Sequence, residues 1–169
     1  MKKTAIVFAL VAMMFFAMPK ATAQENPFAA GKIKATAYVG LPYSFSHILL
    51  PPVGLAAEYG IVDFGDGKFG TLSAGAAFDT GLHRFEHLNI EWQATGFASY
   101  HYFINSTFEV HAKAGAGLYH YGFGDTHFSG IGWYEFAGIS YYLSPSVALT
   151  AEAGYSALSY LHAGISIVL

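Results

Sequence analysis

The protein has 169 residues, of which 54% are hydrophobic and 11% are charged, whereas a soluble domain carries about 25% charged residues. The longest uncharged apolar run, residues 4–19, has 16 residues, fewer than the roughly 20 that a membrane-spanning helix needs, and this excludes a helical membrane bundle. The absence of cysteine excludes disulfides, thiolate chemistry and cysteine-based zinc sites.

The N-terminus has the features of a cleaved export signal. A positively charged start at residues 2–3 precedes an apolar stretch at 5–18 and an Ala-Thr-Ala cleavage pattern at 21–23. Cleavage there would remove three lysines and no acid, which takes the formal charge from −3 to −6 and makes nucleic acid an unsuitable partner. We predict a cleaved signal peptide over 1–23, a short leader over 24–31 and a single domain over 32–169.

Eight segments of the mature chain alternate apolar and polar residues with a period of two, which is the pattern of β-strands. Residues 108–119 show it most clearly, with apolar side chains at even positions and Glu109 and Lys113 among the odd ones. In residues 131–143 the alternation slips, and we predict a β-bulge near Gly138. The predicted strands are 33–41, 53–64, 69–78, 90–102, 108–119, 131–143, 147–155 and 161–169.

The links between these strands differ in length. Tight turns are predicted at 65–68, 105–106 and 144–146, whereas longer links cover 42–52, 79–89 and 120–130. Short turns at one end and longer loops at the other are the layout of bacterial outer-membrane barrels, whose short turns are periplasmic. The sequence therefore predicts an all-β fold, an eight-stranded antiparallel up-and-down transmembrane β-barrel.

The composition of the polar face indicates that it lines a lumen. This face is mostly Gly, Ser, Thr and Ala with one or two charges per strand, which suits the crowded interior of an eight-stranded barrel. A soluble secreted β-barrel, with the polar face outside, is the alternative. Aromatic residues near the strand ends are expected to form interfacial girdles: Tyr38, Tyr59, Phe64, Phe69, Phe78, Trp92, Tyr100, Tyr102, Phe103, Phe108, Tyr119, Trp133, Tyr141, Tyr142 and Tyr155.

With this strand pattern and phrases such as Gly-Ile-Ser-Tyr-Tyr-Leu-Ser-Pro at 138–145 and Ala-Glu-Ala-Gly-Tyr at 151–155, the chain resembles the small outer-membrane β-barrel proteins of the OmpA/OmpX type. The resemblance covers nearly all of 24–169. It implies a place in the outer membrane, contact with outer-membrane lipid and lipopolysaccharide, insertion by the barrel-assembly machinery, and a monomer. Such barrels usually end on an aromatic residue that assists this machinery, whereas this chain ends on Leu169.

Six charged residues of the polar face are the candidate site. Charges in a narrow lumen must be paired or neutralised, and we interpret these as a structural plug; a narrow or gated ion path is the alternative. The three near mid-strand are expected to meet, with one carboxylate protonated, bridged by water or hydrogen-bonded to hydroxyl groups. The three mid-strand charges are Glu58, Lys113 and Glu152; Lys34 and Glu109 lie near the periplasmic ends, and Glu91 near the outer rim.

Histidines and one serine give weaker hypotheses. His83 and His87 flank Glu86 at a spacing that metal ligands can use, but a third ligand is not evident and we expect no metal site. The element His127-Phe128-Ser129, with Glu135 beyond it, resembles the His-x-Ser element of the outer-membrane lipid A deacylases, in which a histidine activates a serine and a glutamate orients the imidazole. The histidines in or beside the predicted loops are His47, His83, His87, His120 and His127.

Taken together, the sequence predicts a structural or surface-interaction protein with a plugged polar lumen, and no catalytic residue, cofactor or metal. The outer loops are expected to carry any contact with an extracellular ligand. A small gated pore and a lipid-A-modifying hydrolase are the alternative functions.

Overall fold

A computed structural model describes residues 26–43, 48–84, 88–123 and 126–169. The predicted signal peptide and its cleavage site, together with His47, Glu86 and His87, lie outside these residues. The described chain forms eight antiparallel strands, each hydrogen-bonded to the next, and β1 also pairs with β8 to close the barrel. The strands are β1 Ile33–Leu41, β2 Ile48–Asp63, β3 Thr71–Arg84, β4 Leu88–Phe103, β5 Phe108–Phe123, β6 Thr126–Ser144, β7 Val147–Tyr155 and β8 Leu161–Val168. The predicted eight-stranded up-and-down barrel is thereby confirmed.

No helix long and apolar enough to cross a membrane occurs among the described residues.

The two ends of the barrel differ in how far the strands reach, and their connections are of similar length. The connections at the turn end cover 64–70, 104–107 and 145–146, and those at the loop end cover 42–47, 85–87, 124–125 and 156–160. The middle strands continue further toward the loop end than the sequence predicts, so that β3 reaches Arg84 and β6 already begins at Thr126. Cross-strand pairing extends strands through residues whose own β-propensity is weak, and three of the predicted links are therefore shorter than expected.

The predicted bulge near Gly138 is wrong. Pairing between β5 and β6 runs without interruption from the Phe108–Tyr141 pair to the Phe123–Thr126 pair. The irregularity that β6 does contain lies against β7, between Tyr142 and Ser144. The apolar phase shifts because two aromatic residues, Tyr134 and Phe136, point into the lumen, where sequence alternation predicts polar side chains.

The barrel is apolar outside and polar inside. Exterior side chains such as Leu55, Ile131 and Trp133 are 67%, 78% and 68% exposed, whereas charged side chains such as Lys34 and Glu109 are buried in the lumen. In water this exterior would be an aggregation surface. In a bilayer it meets hydrocarbon, while the closed sheet pairs its own backbone groups.

Part of the predicted aromatic girdle lies inside the barrel instead. Many of the aromatic residues are on the exterior as expected, among them Tyr59, Phe78 and Tyr141. Tyr38, Phe103 and Tyr142 are wrongly assigned, because they are buried within aromatic clusters of the lumen. Tyr119 is wrongly assigned as well, because it shares the inward phase of its partners Gln93 and Gly130. Aromatic residues of the girdle and of the lumen both occur near strand ends, so nearness to an end does not distinguish them. The phase of the alternation distinguishes them, because it shows whether a side chain points outward or inward.

The leader folds against the turn end of the barrel. The amide of Ala30 donates to both carboxylate oxygens of Asp63 at 3.0 and 3.1 Å, and the amide of Gly31 donates to the carbonyl of Gly60 at 2.8 Å. These bonds hold the leader in a position from which the side chain of Phe28 enters the barrel, where it is completely buried. The leader thus belongs to the packed structure.

We expect the folded protein to resist SDS at room temperature and to migrate differently on a gel after boiling. A closed sheet has no free edge from which strands can separate, and its unfolding must break many hydrogen bonds together. Gel migration of boiled and unboiled samples measures this. Identical migration, together with solubility in buffer without detergent, would instead support a soluble barrel.

Candidate functional site

The strand register brings the inward charges to neighbouring positions. Lys34 of β1 is the cross-strand partner of Glu58 of β2, and Ser99 of β4 is that of Lys113 of β5. Since residues of one strand face alternately inward and outward, these side chains all project into the same narrow lumen.

Gly138 makes room for this cluster. It is the cross-strand partner of both His111 and Glu152, and a Cβ atom at this position would lie 2.8 Å from the Cγ of Glu152 and from the Nε2 of His111. Any side chain at residue 138 would therefore displace one of the two. The absence of a side chain lets the carboxylate and the imidazole meet.

Lys113 joins two carboxylates at the centre of the barrel. Its Nζ lies 3.1 Å from Oε1 of Glu58 and 2.8 Å from Oε1 of Glu152, and all three side chains are buried. The hydroxyl groups of Ser73 and Ser99 donate to Oε2 of Glu58. The three mid-strand charges are thus in contact, and hydroxyl groups share the stabilisation of one acid.

A second group of charges lies on the turn-end side. Lys34 Nζ contacts Oε1 of Glu109 at 2.7 Å, and the Tyr142 hydroxyl donates to the other oxygen of that carboxylate. His101 connects the two groups, because its Nδ1 lies 2.7 Å from Oε1 of Glu109 and its Nε2 lies 3.0 Å from Oε2 of Glu58. We call the whole set the lumen charge network: Lys34, Glu58, His101, Glu109, His111, Lys113 and Glu152.

The charges of the network can balance. An imidazole donates from both nitrogens only when it is protonated, and His101 has a carboxylate at each nitrogen. Three ionised glutamates, two lysines and a protonated His101 sum to zero. His111 differs, because its Nε2 hydrogen-bonds Glu152 at 2.9 Å, whereas its Nδ1 lies 3.0 Å from Glu109 without making a hydrogen bond; the two-donor argument therefore applies to His101 alone. Neutrality is what a buried group of charges requires.

Glu91 is separate from the other five predicted residues. It lies nearer the loop end, eight residues along β4 from Ser99, and its carboxylate is 3.1 Å from Nε2 of His83. The structure therefore brings Lys34, Glu58, Glu109, Lys113 and Glu152 into one network and places Glu91 in a different pair.

Aromatic side chains lie on both sides of the network. Toward the loop end, Tyr38, Phe97, Tyr134 and Phe136 form one buried cluster, and the ring of His162 stacks on Tyr38 at 4.3 Å and on Phe136 at 4.1 Å between centroids. Toward the turn end, a second buried cluster contains Phe28, Phe103, Tyr142, Ala148 and Val168. The Phe28 ring meets His101 edge-on at 4.8 Å.

His101, Glu109 and His111 have the residue types and the proximity of a metal site, since one potential ligand atom from each lies within 4.8 Å of the others. The Lys34 ammonium contacts the same Glu109 oxygen that both histidines approach. This fixed positive charge would repel a metal ion bound at that position. The arrangement therefore fits an ion-pair network better than a cation site.

The predicted grouping of His127, Ser129 and Glu135 is not assembled. All three lie on β6, but Glu135 is six residues from Ser129 and pairs with Ala114 and Tyr155, too far along the strand to orient an imidazole beside Ser129. Ser129 instead hydrogen-bonds Nδ1 of His120 on β5, with 2.8 Å between the two atoms.

The sequence prediction misses the histidines of the lumen. His101, His111 and His162 share the inward alternation phase with the glutamates and lysines, and that phase is the signal that could have identified them. Which carboxylate each imidazole contacts follows from the register and from the tilt of the strands around the barrel, and alternation within one strand carries no such information.

Comparisons with known proteins identify the fold. No protein-family model matches the chain, and no curated protein sequence matches it. Among solved structures, the β-barrel domain of Pseudomonas aeruginosa OprF is 12% identical with a TM-score of 0.55, covering 83% of this chain and 98% of that one. The Yersinia pestis outer membrane protein Ail, in a phospholipid nanodisc, is 14% identical with a TM-score of 0.51, covering 82% and 99%. A de novo designed transmembrane β-barrel is 19% identical with a TM-score of 0.53, covering 87% and 100%.

These likenesses and the apolar exterior define the class of protein. The chain has the fold of the small eight-stranded outer-membrane barrels of the OmpA/OmpX type, and its apolar exterior suits a membrane. A designed barrel has the same fold without having been selected for a natural activity. The fold therefore does not indicate a role, which must be argued from the residues of this chain.

We expect Lys113→Ala to lower the free energy of unfolding by about 3–5 kcal/mol, because it leaves Glu58 and Glu152 buried without their shared cation. The matched control is Lys68→Ala, in an exposed turn, which should cost about 0.5 kcal/mol or less. Urea unfolding of both variants in the same lipid measures the difference. Equal costs would show that Lys113 is not part of a buried network.

Proposed function

We propose that this protein is an outer-membrane barrel with a structural or surface-interaction role, whose lumen is plugged. The observation that carries the proposal is the lumen charge network, buried between two aromatic clusters. A conducting pore needs a continuous hydrated path. Side chains that contact one another across the lumen, as Lys113 does with Glu58 and Glu152, leave little room for one.

The absence of an enzymatic role is part of the same proposal. A serine nucleophile needs a base that is itself oriented by a third group. His120 contacts Ser129, and the further ring contacts of His120 in the described part of the chain are Trp92 and His127. A hydrolase would also need a carboxylate at the second ring nitrogen of His120. Glu135 lies away from that position.

We further propose the topology and the contacts of the chain. The signal peptide is removed after Ala23, the turn end and the leader face the periplasm, and the loop end faces outward. The barrel-assembly machinery inserts the chain as a monomer, lipopolysaccharide surrounds the outer part of its exterior, and the outer loops contact any extracellular ligand. The extension of the middle strands toward the loop end, beyond the bounds predicted from sequence, supports this orientation.

In planar bilayers, the purified protein is expected to show no steady ion conductance, because charged and aromatic side chains fill its lumen. A general porin inserted in the same way serves as the positive control. A second preparation, Tyr134→Ala with Phe136→Ala, removes two rings of one cluster and tests whether the loop-end layer contributes to the seal. Steady, stepwise conductance by the unaltered protein would contradict the plug and favour the pore.

Cysteine labelling tests the orientation, since the chain contains no cysteine of its own. Arg84→Cys, exposed at the loop end, is expected to react with an impermeant maleimide in whole cells, and Asp66→Cys, exposed in a turn, is not. Both should react after lysis. Labelling of Asp66→Cys alone in whole cells would show that the barrel is inverted.

A further inference from the structure

A row of polar and aromatic side chains crosses the exterior wall near the loop end. Thr80, Trp92, His120 and Ser129 are successive cross-strand partners on β3, β4, β5 and β6. On each strand they alternate with inward residues, as Trp92 does with the buried Glu91 and Gln93. All four side chains therefore belong to the outer surface of the barrel.

Three rings of this region stack in parallel. The centroids of Trp92 and His120 are 6.1 Å apart with the planes at 20°, and those of His120 and His127 are 5.5 Å apart with the planes at 15°. Ser129 fixes the central imidazole through its hydrogen bond to Nδ1. We call Trp92, His120, His127 and Ser129 the outer ledge.

Several polar atoms of the outer ledge have no partner among the residues that the structure describes. Within the described residues, Nε2 of His120 and both ring nitrogens of His127 make no hydrogen bond or ion pair, and Ser129 and His127 are exposed. The Ser129 hydroxyl can both donate and accept. Imidazole nitrogens and a hydroxyl beside flat rings form a surface that can hydrogen-bond and stack at once.

The position of the ledge indicates which part of a bilayer it meets. One row nearer the turn end, the outward partners are Leu118 and Ile131, which are 57% and 78% exposed and suit hydrocarbon. On β5 and β6 the ledge lies where this apolar wall gives way to imidazole and hydroxyl groups, whereas on β4 Ile90 and Leu88 continue the wall beyond Trp92. Such a transition marks the interface between hydrocarbon and headgroups.

We propose that the outer ledge binds the phosphorylated sugar headgroup of an outer-leaflet glycolipid. The face of a sugar ring can pack on an end ring of the stack, while phosphate oxygens accept hydrogen bonds from His127 and, according to the tautomer of His120, from either Ser129 or Nε2 of His120. This site rests on the proposed function in one respect, because the loop end must face the outer leaflet. A sugar headgroup, with its many hydroxyl groups and its ring face, can use the imidazole nitrogens, Ser129 and an end ring together, which favours it over the headgroup of a simple phospholipid.

The test is a titration of the folded protein in detergent micelles with purified lipid A, following the histidine ring resonances by NMR. We expect saturable shifts of the His120 and His127 signals, and binding about tenfold weaker or more in the His120→Ala/His127→Ala variant. The matched control, Phe108→Ala/Tyr141→Ala, removes an exterior aromatic pair at the turn end and should bind as the unaltered protein does.

Equal binding by the histidine variant and the control would overturn the proposal, as would equal responses to lipid A and to phosphatidylglycerol. Weaker binding of dephosphorylated lipid A would support the phosphate contact, and unchanged binding would contradict it. Each variant is first checked for the gel shift on boiling, so that misfolding is recognised. Because micelles have no sides, this experiment is independent of orientation, and a failure of the proposed topology would appear in the cysteine labelling alone.

Discussion

The closure of the sheet is the constraint on which the rest of this structure depends. A bilayer offers no hydrogen-bond partners to backbone groups, so an apolar exterior of this kind is stable only if the first and last strands pair. Pairing from Lys34–Val168 to Leu41–Leu161 does this. Closing eight strands also fixes a narrow interior, and every inward side chain must then find its partners within it.

The lumen satisfies that requirement by compensation between charges. Lys113 contacts two glutamates from different strands, and His101 links that group to the pair formed by Lys34 and Glu109. Small residues set the space: Gly138 leaves the gap in which His111 reaches Glu152. A substitution at a single residue of this interior is therefore strongly destabilising, because removing one partner leaves the other buried charges unpaired.

The exterior divides into regions with different chemistry. Most of it is an apolar wall of exposed side chains, such as Leu55 and Ile165, which can contact hydrocarbon without distinguishing one molecule from another. The outer ledge differs, because cross-strand stacking and the Ser129–His120 hydrogen bond hold its imidazoles in a defined geometry. On the proposal that the lumen is plugged, specific recognition by this barrel falls to its loops and its outer wall.

Period-two alternation by itself determined the number of strands, their antiparallel order and which face carries the charges, because those properties are local to each strand and its turns. It set the bounds of β1 and β7 and placed Glu58, Lys113 and Glu152 on the inner face. Tertiary structure alone decided that Glu91 stands apart, that Gly138 lies in regular pairing and that Ser129 meets His120 rather than Glu135. These outcomes depend on register between strands and on the tilt of a closed barrel, and each requires residues far apart in the chain to be positioned together.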